Sequence, residues 1–292
     1  MVIRIAEFLI QINQMDDHPI KADEGYLPFV VKAEGMVPDM VVNAFGQLPA
    51  QLPNQKPIYS AQMTEGELWN IAKWDEGYAI RVYDPEQLGT LQQFCTVDSN
   101  FREWNVYMAS GGKDGSTIEP LKYPLGPLLM YYLTINHDAI MIHASAISDK
   151  GVGRLFTGVS GKGKSTSARL WFEAGAEVLN DDRLMIRKTD KGYFIFNTPM
   201  FYADEPRSAQ LRSAYIIRHH TKNVVDDIQG VEAVSQLLAN CIQHGYDRKM
   251  MEHHLHFVSE MVAHVSVATL GFVPNASVVE TIRAHEIRRT NT

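Results

Sequence analysis

Cysteine is nearly absent from this chain, and the cysteine spacings typical of metal sites are absent too. The 292 residues contain only Cys95 and Cys241, and no CxxC pair. Two thiols cannot build a framework of disulfide bridges, and zinc or iron–sulfur sites need closely spaced ligands. We therefore expect two buried thiols in a reducing compartment.

Long apolar runs are also absent. The longest candidate, Leu125 to Ile135, contains Pro127 and is far shorter than the roughly 20 residues needed to cross a bilayer. Charged and polar residues, Arg4 and Glu7 among them, interrupt the N-terminal stretch MVIRIAEFLIQIN, which has no small-residue cleavage site. These features predict a first strand there and a cytoplasmic protein without a membrane partner.

The chain lacks a block of positive charge. Its formal net charge is −7, and its 27 lysines and arginines are scattered. Because binding to a nucleic-acid backbone needs a broad positive surface, nucleic acid is not an expected partner. A hydrophobic content of 45% is sufficient for a packed core, and the length suggests one large or two ordinary domains.

Two domains are predicted from a change of pattern near residue 120. Short strand-like segments, such as Ile3 to Ile12, Tyr78 to Tyr83 and Trp104 to Met108, predict a smaller β-rich (α+β) N-terminal domain over residues 1–120. The glycine-rich stretch 110–116 predicts a turn or linker. Residues 121–292 then mix strands and helices, which predicts an α/β domain.

The most informative stretch is a glycine-rich loop after a strand predicted over Arg154 to Thr157. The sequence GVSGKGKS fits the GxxxxGK(S/T) pattern and precedes a predicted helix, Ser165 to Glu173. The glycines let backbone N–H groups turn toward phosphate oxygens, and the helix N-terminus adds its positive dipole end. We therefore expect a nucleotide, ATP, to bind through Gly158, Ser160, Gly161, Gly163, Lys164, Ser165 and Thr166.

Two side chains of this loop have distinct expected tasks. Lys164 is placed to reach the β- and γ-phosphates of the nucleotide. The hydroxyl of Ser165 is placed to ligate the Mg²⁺ ion that bridges them. Lys162 fits a solvated lysine better than a second phosphate contact.

An acidic pair follows the loop helix closely. Asp181 and Asp182 end a strand predicted over Glu177 to Leu179, where we expect a parallel neighbour of the loop strand to bring carboxylates beside Mg²⁺. Adjacent carboxylates repel each other, so a metal ion makes the pair favourable: one can hold the ion, and the other can take a proton from an attacking hydroxyl. The alternative is a turn cap formed with Asn180.

Together these motifs resemble a known family. The stretch MIHASAI, a glycine turn and then LFTGVSGKGKSTSARLWFEAGAEVLNDDRLMI are similar to the kinase domain of HPr kinase/phosphorylase and its relatives, over about residues 124–292. The resemblance implies a phosphoenolpyruvate carboxykinase-like P-loop domain with a mixed β-sheet and flanking helices. It also implies ATP and Mg²⁺ as ligands and a hydroxyl-bearing acceptor for the γ-phosphate.

The resemblance further implies roles for single residues. Lys164 handles phosphate, Asp181 is the base, and Asp182 binds the metal together with Ser165; the residues alone leave the roles of the two aspartates interchangeable. His143, in the strand before the loop, is placed near the transferred phosphate as a third catalytic residue. The alternative for His143 is a hydrogen-bonded histidine in a buried strand.

One signature of the family is missing. The glycine-rich second signature of bifunctional HPr kinases has no good equivalent in the region Thr198 to Arg212, which argues against HPr as the substrate and against phosphorylase activity. The β-rich front part is more similar to HPr-kinase-related proteins of unassigned substrate, some of which phosphorylate serine in small peptides or as a free metabolite. Arg207 and Arg212 could bind a phosphate or an acidic acceptor, or form surface salt bridges.

The sequence is therefore predicted to encode an Mg-ATP-dependent kinase acting on serine in a peptide, a protein or free form. A non-catalytic ATP-binding regulatory or scaffold protein is the alternative, and a carboxykinase-type decarboxylase would need metal and carboxylate ligands that the sequence does not offer. His253, His254 and His256 match no metal motif, and a polar helix surface explains them better. A homo-oligomer is among the assemblies that the sequence allows.

Overall fold

The computed structural model describes residues 1–32, 35–63, 66–109, 116–159 and 161–290. Within these ranges the chain is a mixed α/β protein with two multi-stranded sheets and few helices, which confirms the predicted class. It divides into two compact units, the first made of Met1–Asn136 and Pro199–Glu205, the second of His137–Thr198 and Pro206–Thr292. Most of the predicted linker, residues 110–115, and Ser160 of the glycine-rich loop lie outside the described residues.

Helix α1 (Leu125–Ile135) belongs to the first unit, beyond the boundary predicted at residue 120. The helix is apolar almost all round, so it needs a core on every side rather than on one stripe. Its Tyr132 is fully buried and stacks on Phe101, with ring centroids 4.1 Å apart. Aromatic packing of this kind fixes the helix to the first unit.

The first unit is built on a sheet of nine strands among the described residues, in the order β3-β1-β2-β4-β9-β8-β7-β6-β5. The pairs β2–β4 and β4–β9 are parallel and the other neighbours are antiparallel. A short 3-10 helix covers Glu24–Phe29. The strands are β1 (Val2–Ile5), β2 (Phe8–Gln14), β3 (Val30–Val31), β4 (Met40–Phe45), β5 (Tyr59–Met63), β6 (Gly66–Trp74), β7 (Gly77–Tyr83), β8 (Leu91–Val97) and β9 (Glu103–Met108).

The segment from Ile3 to Ile12, predicted as one strand, is a hairpin. Ala6 and Glu7 adopt positive φ angles of 48° and 64° and reverse the chain between β1 and β2. Two-residue turns of this kind usually carry asparagine or glycine. Because neither residue type is present, the apolar run shows no break in the sequence.

The second unit is built on a sheet of eight strands in the described part of the chain. Its order is β11-β10-β13-β14-β15-β17-β16, and β12 also pairs with β10. Since β11 pairs with β15 as well as with β10, five strands form a closed circuit of pairings. The strands are β10 (Ala139–Asp149), β11 (Val152–Thr157), β12 (Glu177–Asn180), β13 (Arg183–Thr189), β14 (Gly192–Asn197), β15 (Ser208–His219), β16 (Val224–Asp227) and β17 (Ser266–Phe272).

Among the residues that the structure describes, four helices cover the two faces of this sheet: α2 (Lys164–Glu173), α3 (Gly230–Leu238), α4 (Arg248–Met261) and α5 (Ser277–Thr290). On one face Ile216 packs in a core with Leu237 of α3 and Phe257 of α4. On the other face Tyr215 packs in a core with Trp171 of α2, to which α5 also contributes. Successive residues of β15 thus point to opposite faces, as the strand period requires. The unit therefore has three layers, helix on sheet on helix.

None of the helices within the described ranges is both long enough and apolar enough to span a membrane. Cys95 and Cys241 are buried free thiols, as predicted. Burial raises the pKa of Cys241 to about 12 and raises the pKa of Cys95 as well. Both thiols therefore stay protonated and pack as small apolar groups.

Candidate functional site

The glycine-rich loop joins the end of β11 to the start of α2. Gly158 and Gly163 adopt positive φ angles of 146° and 109°, a region that glycine enters without steric cost. A Cβ atom on Gly163 would lie 2.6 Å from the ring of Phe272, and one on Gly158 would lie 3.0 Å from the carbonyl oxygen of Ile217. Both positions therefore need glycine for backbone conformation and for space.

Helix α2 presents backbone donors at its first turn. Gly163 is its N-cap residue, so no side chain caps the helix. The N–H of Ser167 donates to the carbonyl of Gly163 at 2.8 Å, and the N–H groups of Lys164, Ser165 and Thr166 precede this first bond. Such groups, together with the helix dipole, make the N-terminus a ready anion site.

Lys164 is folded back onto the loop. The residue is 7% exposed, and its Nζ donates to the carbonyl oxygen of Gly158 at 3.0 Å. Burial lowers the pKa of Lys164, while the negative charge of Asp182 acts in the opposite direction. The ammonium is thus partly desolvated and within the field of Asp182, and partial desolvation makes its attraction to a phosphate stronger than in water.

Two buried hydroxyl groups that sequence reasoning did not single out hold the loop in place. Ser145 donates through Oγ to the carbonyl of Lys164 at 2.9 Å, and Thr157 donates through Oγ1 to the carbonyl of His143 at 2.9 Å. Both residues are completely buried. Single hydroxyl residues inside strands have no distinctive spacing, so no sequence pattern marks them.

Asp181 and Asp182 lie between β12 and β13, in the gap where one edge of β10 passes from pairing with β12 to pairing with β13. Both strands pair antiparallel with β10, one on each side of Asp181 and Asp182. Across the interruption the carbonyl of Asp182 still accepts the N–H of Ala144 at 3.1 Å. The expected parallel pairing with the loop strand is wrong, because β10 lies between β11 and β12 and is antiparallel to both. The strands β11 and β12 nevertheless run in the same direction, so their carboxyl ends share one edge.

Asn180 shapes the turn that carries the two carboxylates. It is 4% exposed, and its Oδ1 accepts the N–H groups of Asp181 at 2.7 Å and Asp182 at 3.1 Å. Its Nδ2 donates to the carbonyl of Thr198 at 3.3 Å, and Thr198 Oγ1 donates to the carbonyl of Arg183 at 2.9 Å. The turn cap predicted as the alternative is therefore present, and the side chain of Asn180 forms it.

The carboxylate of Asp182 contacts two neighbouring side chains. His143 Nδ1 lies 3.2 Å from Oδ1, and Arg183 Nε lies 2.9 Å from Oδ2. The hydrogen bond from His143 is the main cause that lowers the pKa of Asp182 to about 2, and Arg183 acts in the same direction against the cost of burial. Asp182 is therefore ionised at neutral pH, while the neighbouring Asp181 is exposed.

The structure brings the loop, His143 and the acidic pair to one edge of the sheet, but it does not bring the two arginines there. Arg207 Nε forms an ion pair with Glu177 at 3.2 Å, at the start of β12. Arg212 lies near the start of β15, beside the start of β11 and therefore at the far end of β11 from the loop. No group of three or more His, Cys, Asp or Glu side chains in the described ranges is arranged to hold a metal ion.

Comparison with known proteins assigns no family to the chain. No family model matches the sequence, and none of the curated proteins matches it. Among solved structures, the chain is similar to an HPr(Ser) kinase/phosphatase from Coxiella burnetii, at 9% sequence identity, over 52% of this chain and 93% of that chain. The TM-score of that match is 0.32, which is too low to carry over a fold or an activity.

Proposed function

We propose that this chain is an Mg-ATP-dependent phosphotransferase that transfers the γ-phosphate to a hydroxyl group, with serine in a peptide, a protein or free form as the acceptor. The observation that carries the proposal is that the glycine-rich loop, the N-terminus of α2 and two adjacent carboxylates lie at one edge of the sheet. Nucleotide binding alone needs the loop; the carboxylates are what phosphoryl transfer adds.

The residues present fit ATP and Mg²⁺. Gly158 and Gly163 have positive φ angles of the kind that let backbone N–H groups turn toward phosphate, and no side chain caps the first turn of α2. Ser165 is exposed at the first turn, and Asp182 is ionised; these two side chains would hold the ion. Magnesium commonly takes one or two protein carboxylates and completes its shell with phosphates and water, so a small donor set is sufficient.

Each side chain has a definite part in the proposed reaction. ATP would supply the phosphoryl group, and Mg²⁺ would offset its negative charge. Lys164 would exchange its contact with Gly158 for the phosphate oxygens. Asp181, exposed beside Asp182, would accept the proton of the attacking hydroxyl. His143 would hold the carboxylate of Asp182 in its orientation through the 3.2 Å contact.

The loop lysines give a matched test. We expect Lys164→Ala to abolish phosphate transfer and Lys162→Ala, a change in the same loop, to leave most of it. The assay incubates each protein with γ-labelled ATP, Mg²⁺ and fractions of cell extract, and the size class that becomes labelled identifies the kind of acceptor. Undiminished labelling with the Lys164→Ala protein would refute the assignment.

A non-catalytic ATP sensor is the second candidate, because side chains of the protein already bind the polar groups of the turn Asn180–Asp182, so the turn has a structural explanation without catalysis. Asn180 caps it, and His143 and Arg183 contact Asp182. Replacing Asp181 by Asn separates the two functions. For a kinase, Asp181→Asn should cut transfer at least a hundredfold while ATP affinity stays, since general-base catalysis is worth about 10²–10⁴-fold. If the unaltered chain and the Asp181→Asn variant bind ATP with the same affinity and neither transfers phosphate, the sensor is favoured.

A further inference from the structure

A pocket lies in the second unit, at the far end of β11 from the glycine-rich loop. Its volume is about 460 Å³, within the ~300–1,000 Å³ range of small-molecule sites. The pocket is lined by residues of β11, β15 and β17, by Asp227 at the end of β16, by His264 just before β17 and by the last turns of α5. The loop follows the opposite end of β11, so the pocket is separate from the proposed nucleotide site.

The inner wall of the pocket is a preformed polar cluster around Glu286. This carboxylate accepts two hydrogen bonds from Arg154, at 2.9 and 2.6 Å, and one from the Tyr215 hydroxyl at 2.7 Å. Ser213 Oγ donates a further bond at 3.2 Å. Burial raises the pKa of Tyr215, so the phenol remains a donor. The acidic charge of Glu286 is therefore already compensated inside the protein.

The remaining charges at the pocket favour an anion. Asp227 is held by His285 and Arg289, each at 3.1 Å. Arg212 is exposed at the pocket lining and has no hydrogen-bond or ion-pair partner in the part of the chain that the structure describes. The lining thus offers three arginines to two carboxylates, in a chain whose net charge is −7.

We propose that this pocket binds a small oxyanion, a metabolite carrying phosphate or carboxylate groups, with Arg212 as its main contact. A guanidinium group offers a planar fork of donors that matches such groups in two-point contacts. Arg289, partly exposed and paired with Asp227, stands at the same opening as a second donor. This site does not depend on the proposed kinase activity.

The pocket is physically connected to the helix that starts at Lys164. The guanidinium of Arg154, part of the inner wall, lies 4.8 Å from the ring centre of Trp171 in α2. Trp171 is completely buried, and it is the single tryptophan of the second unit, because the other three belong to the first. A ligand that changes the field at Arg154 should therefore be visible at this one indole ring.

The test uses the full chain carrying Lys164→Ala, which removes the main phosphate contact of the nucleotide loop. Equilibrium dialysis with radiolabelled pyrophosphate, inorganic phosphate and citrate, each alone, measures binding and separates phosphate from carboxylate ligands. We expect saturable retention of one molecule per chain for at least one of the three probes. Adding Arg212→Gln should weaken it at least tenfold, and Arg212→Lys less, since the charge remains but the fork is lost.

The matched control is Arg248→Gln, because Arg248 is also exposed and, among the described residues, forms its ion pair with Glu252 on its own helix. Retention should not change in this variant.

In protein labelled with 5-fluorotryptophan, the ¹⁹F signal of Trp171, assigned with Trp171→Phe, should shift as the probe binds. No retention of any probe, or equal retention in the Arg212→Gln and Arg248→Gln variants, would overturn the proposal.

Discussion

At the scale of single residues, the side chains around Asp182 decide how its carboxylate is oriented and how it titrates in acid. The carboxylate has His143 on one oxygen and Arg183 on the other, and its pKa is lowered from 3.8 to about 2. A carboxyl group whose pKa falls on folding stabilises the native state above its unfolded pKa. That contribution is lost as pH falls from about 4 toward 2, so the pair also makes the fold acid-sensitive.

Replacing His143 by Ala should raise the pKa of Asp182 toward 3.8, because the largest cause of its depression is removed while Arg183 stays. The carboxyl carbon signal of Asp182, followed by NMR between pH 2 and 5, measures this directly. His256→Ala, at an exposed histidine of α4, is the control and should leave the titration unchanged. A midpoint that is the same in all three proteins would mean that the contact has no electrostatic effect.

Spacing alone located the loop residues, because glycine conformation and helix position are local properties. The residues that support the loop could not be found in this way: Ser145 and Thr157 donate to the backbone carbonyls of Lys164 and His143, which lie 19 and 14 residues away in the chain. His254 shows the same limit. The sequence predicts a polar helix surface for it, and this prediction is wrong, because His254 is completely buried; the packing of α4 on the sheet decides which histidine of the run points inward.

At the scale of elements, helix α2 is bounded by glycines with left-handed backbone at both ends. Gly163 precedes its first residue with φ 109°, and Gly175 follows its last turn with φ 89°. Only Gly163 is also crowded: a Cβ there would meet Phe272, whereas a Cβ on Gly175 would meet nothing within 4 Å. The two positions therefore share a left-handed backbone conformation but differ in their contacts.

Gly163→Ala and Gly175→Ala should each lower the free energy of unfolding, by about 1 kcal/mol or more, since alanine is strained at positive φ. Only Gly163→Ala should also lose nucleotide binding, because relief of the clash with Phe272 moves the first turn of α2. Chemical denaturation measures the first effect and titration with Mg-ATP the second. Equal ATP affinity in the two variants would contradict the role given to this turn.

Most elements near the loop were predicted within a few residues, since their apolar patterns and flanking glycines are local signals. The pairing of these strands could not be predicted in the same way. β12 was expected to be a parallel neighbour of β11, but β10 pairs with both and separates them. Strand order depends on contacts between residues far apart in the chain, and a single sequence carries no pattern for them.

At the scale of the whole molecule, binding and stability are linked. A ligand that binds only the folded state stabilises it, by about 2.7 kcal/mol when its free concentration is a hundred times its Kd. Mg-ATP should therefore raise the melting temperature of the chain and slow amide hydrogen exchange in β10, β11 and α2. Hydrogen-exchange mass spectrometry with and without Mg-ATP shows which segments of the chain exchange more slowly when the nucleotide is bound.

The internal control for that measurement is the sheet of the first unit, where strands β5 to β8 contribute no residue to the proposed site. Their exchange should change least. The Lys164→Ala protein should show neither the gain in melting temperature nor the protection. Protection confined to the first unit would place the nucleotide elsewhere and contradict the assigned site.

The division of the chain also has a consequence for its synthesis. The first unit includes the seven-residue stretch Pro199–Glu205, which the ribosome makes only after His137–Thr198, the first segment of the second unit. During translation the first unit therefore remains incomplete while much of the second has already emerged. No single cut of the backbone yields both units intact, so fragments prepared for separate study must lack a piece of one of them.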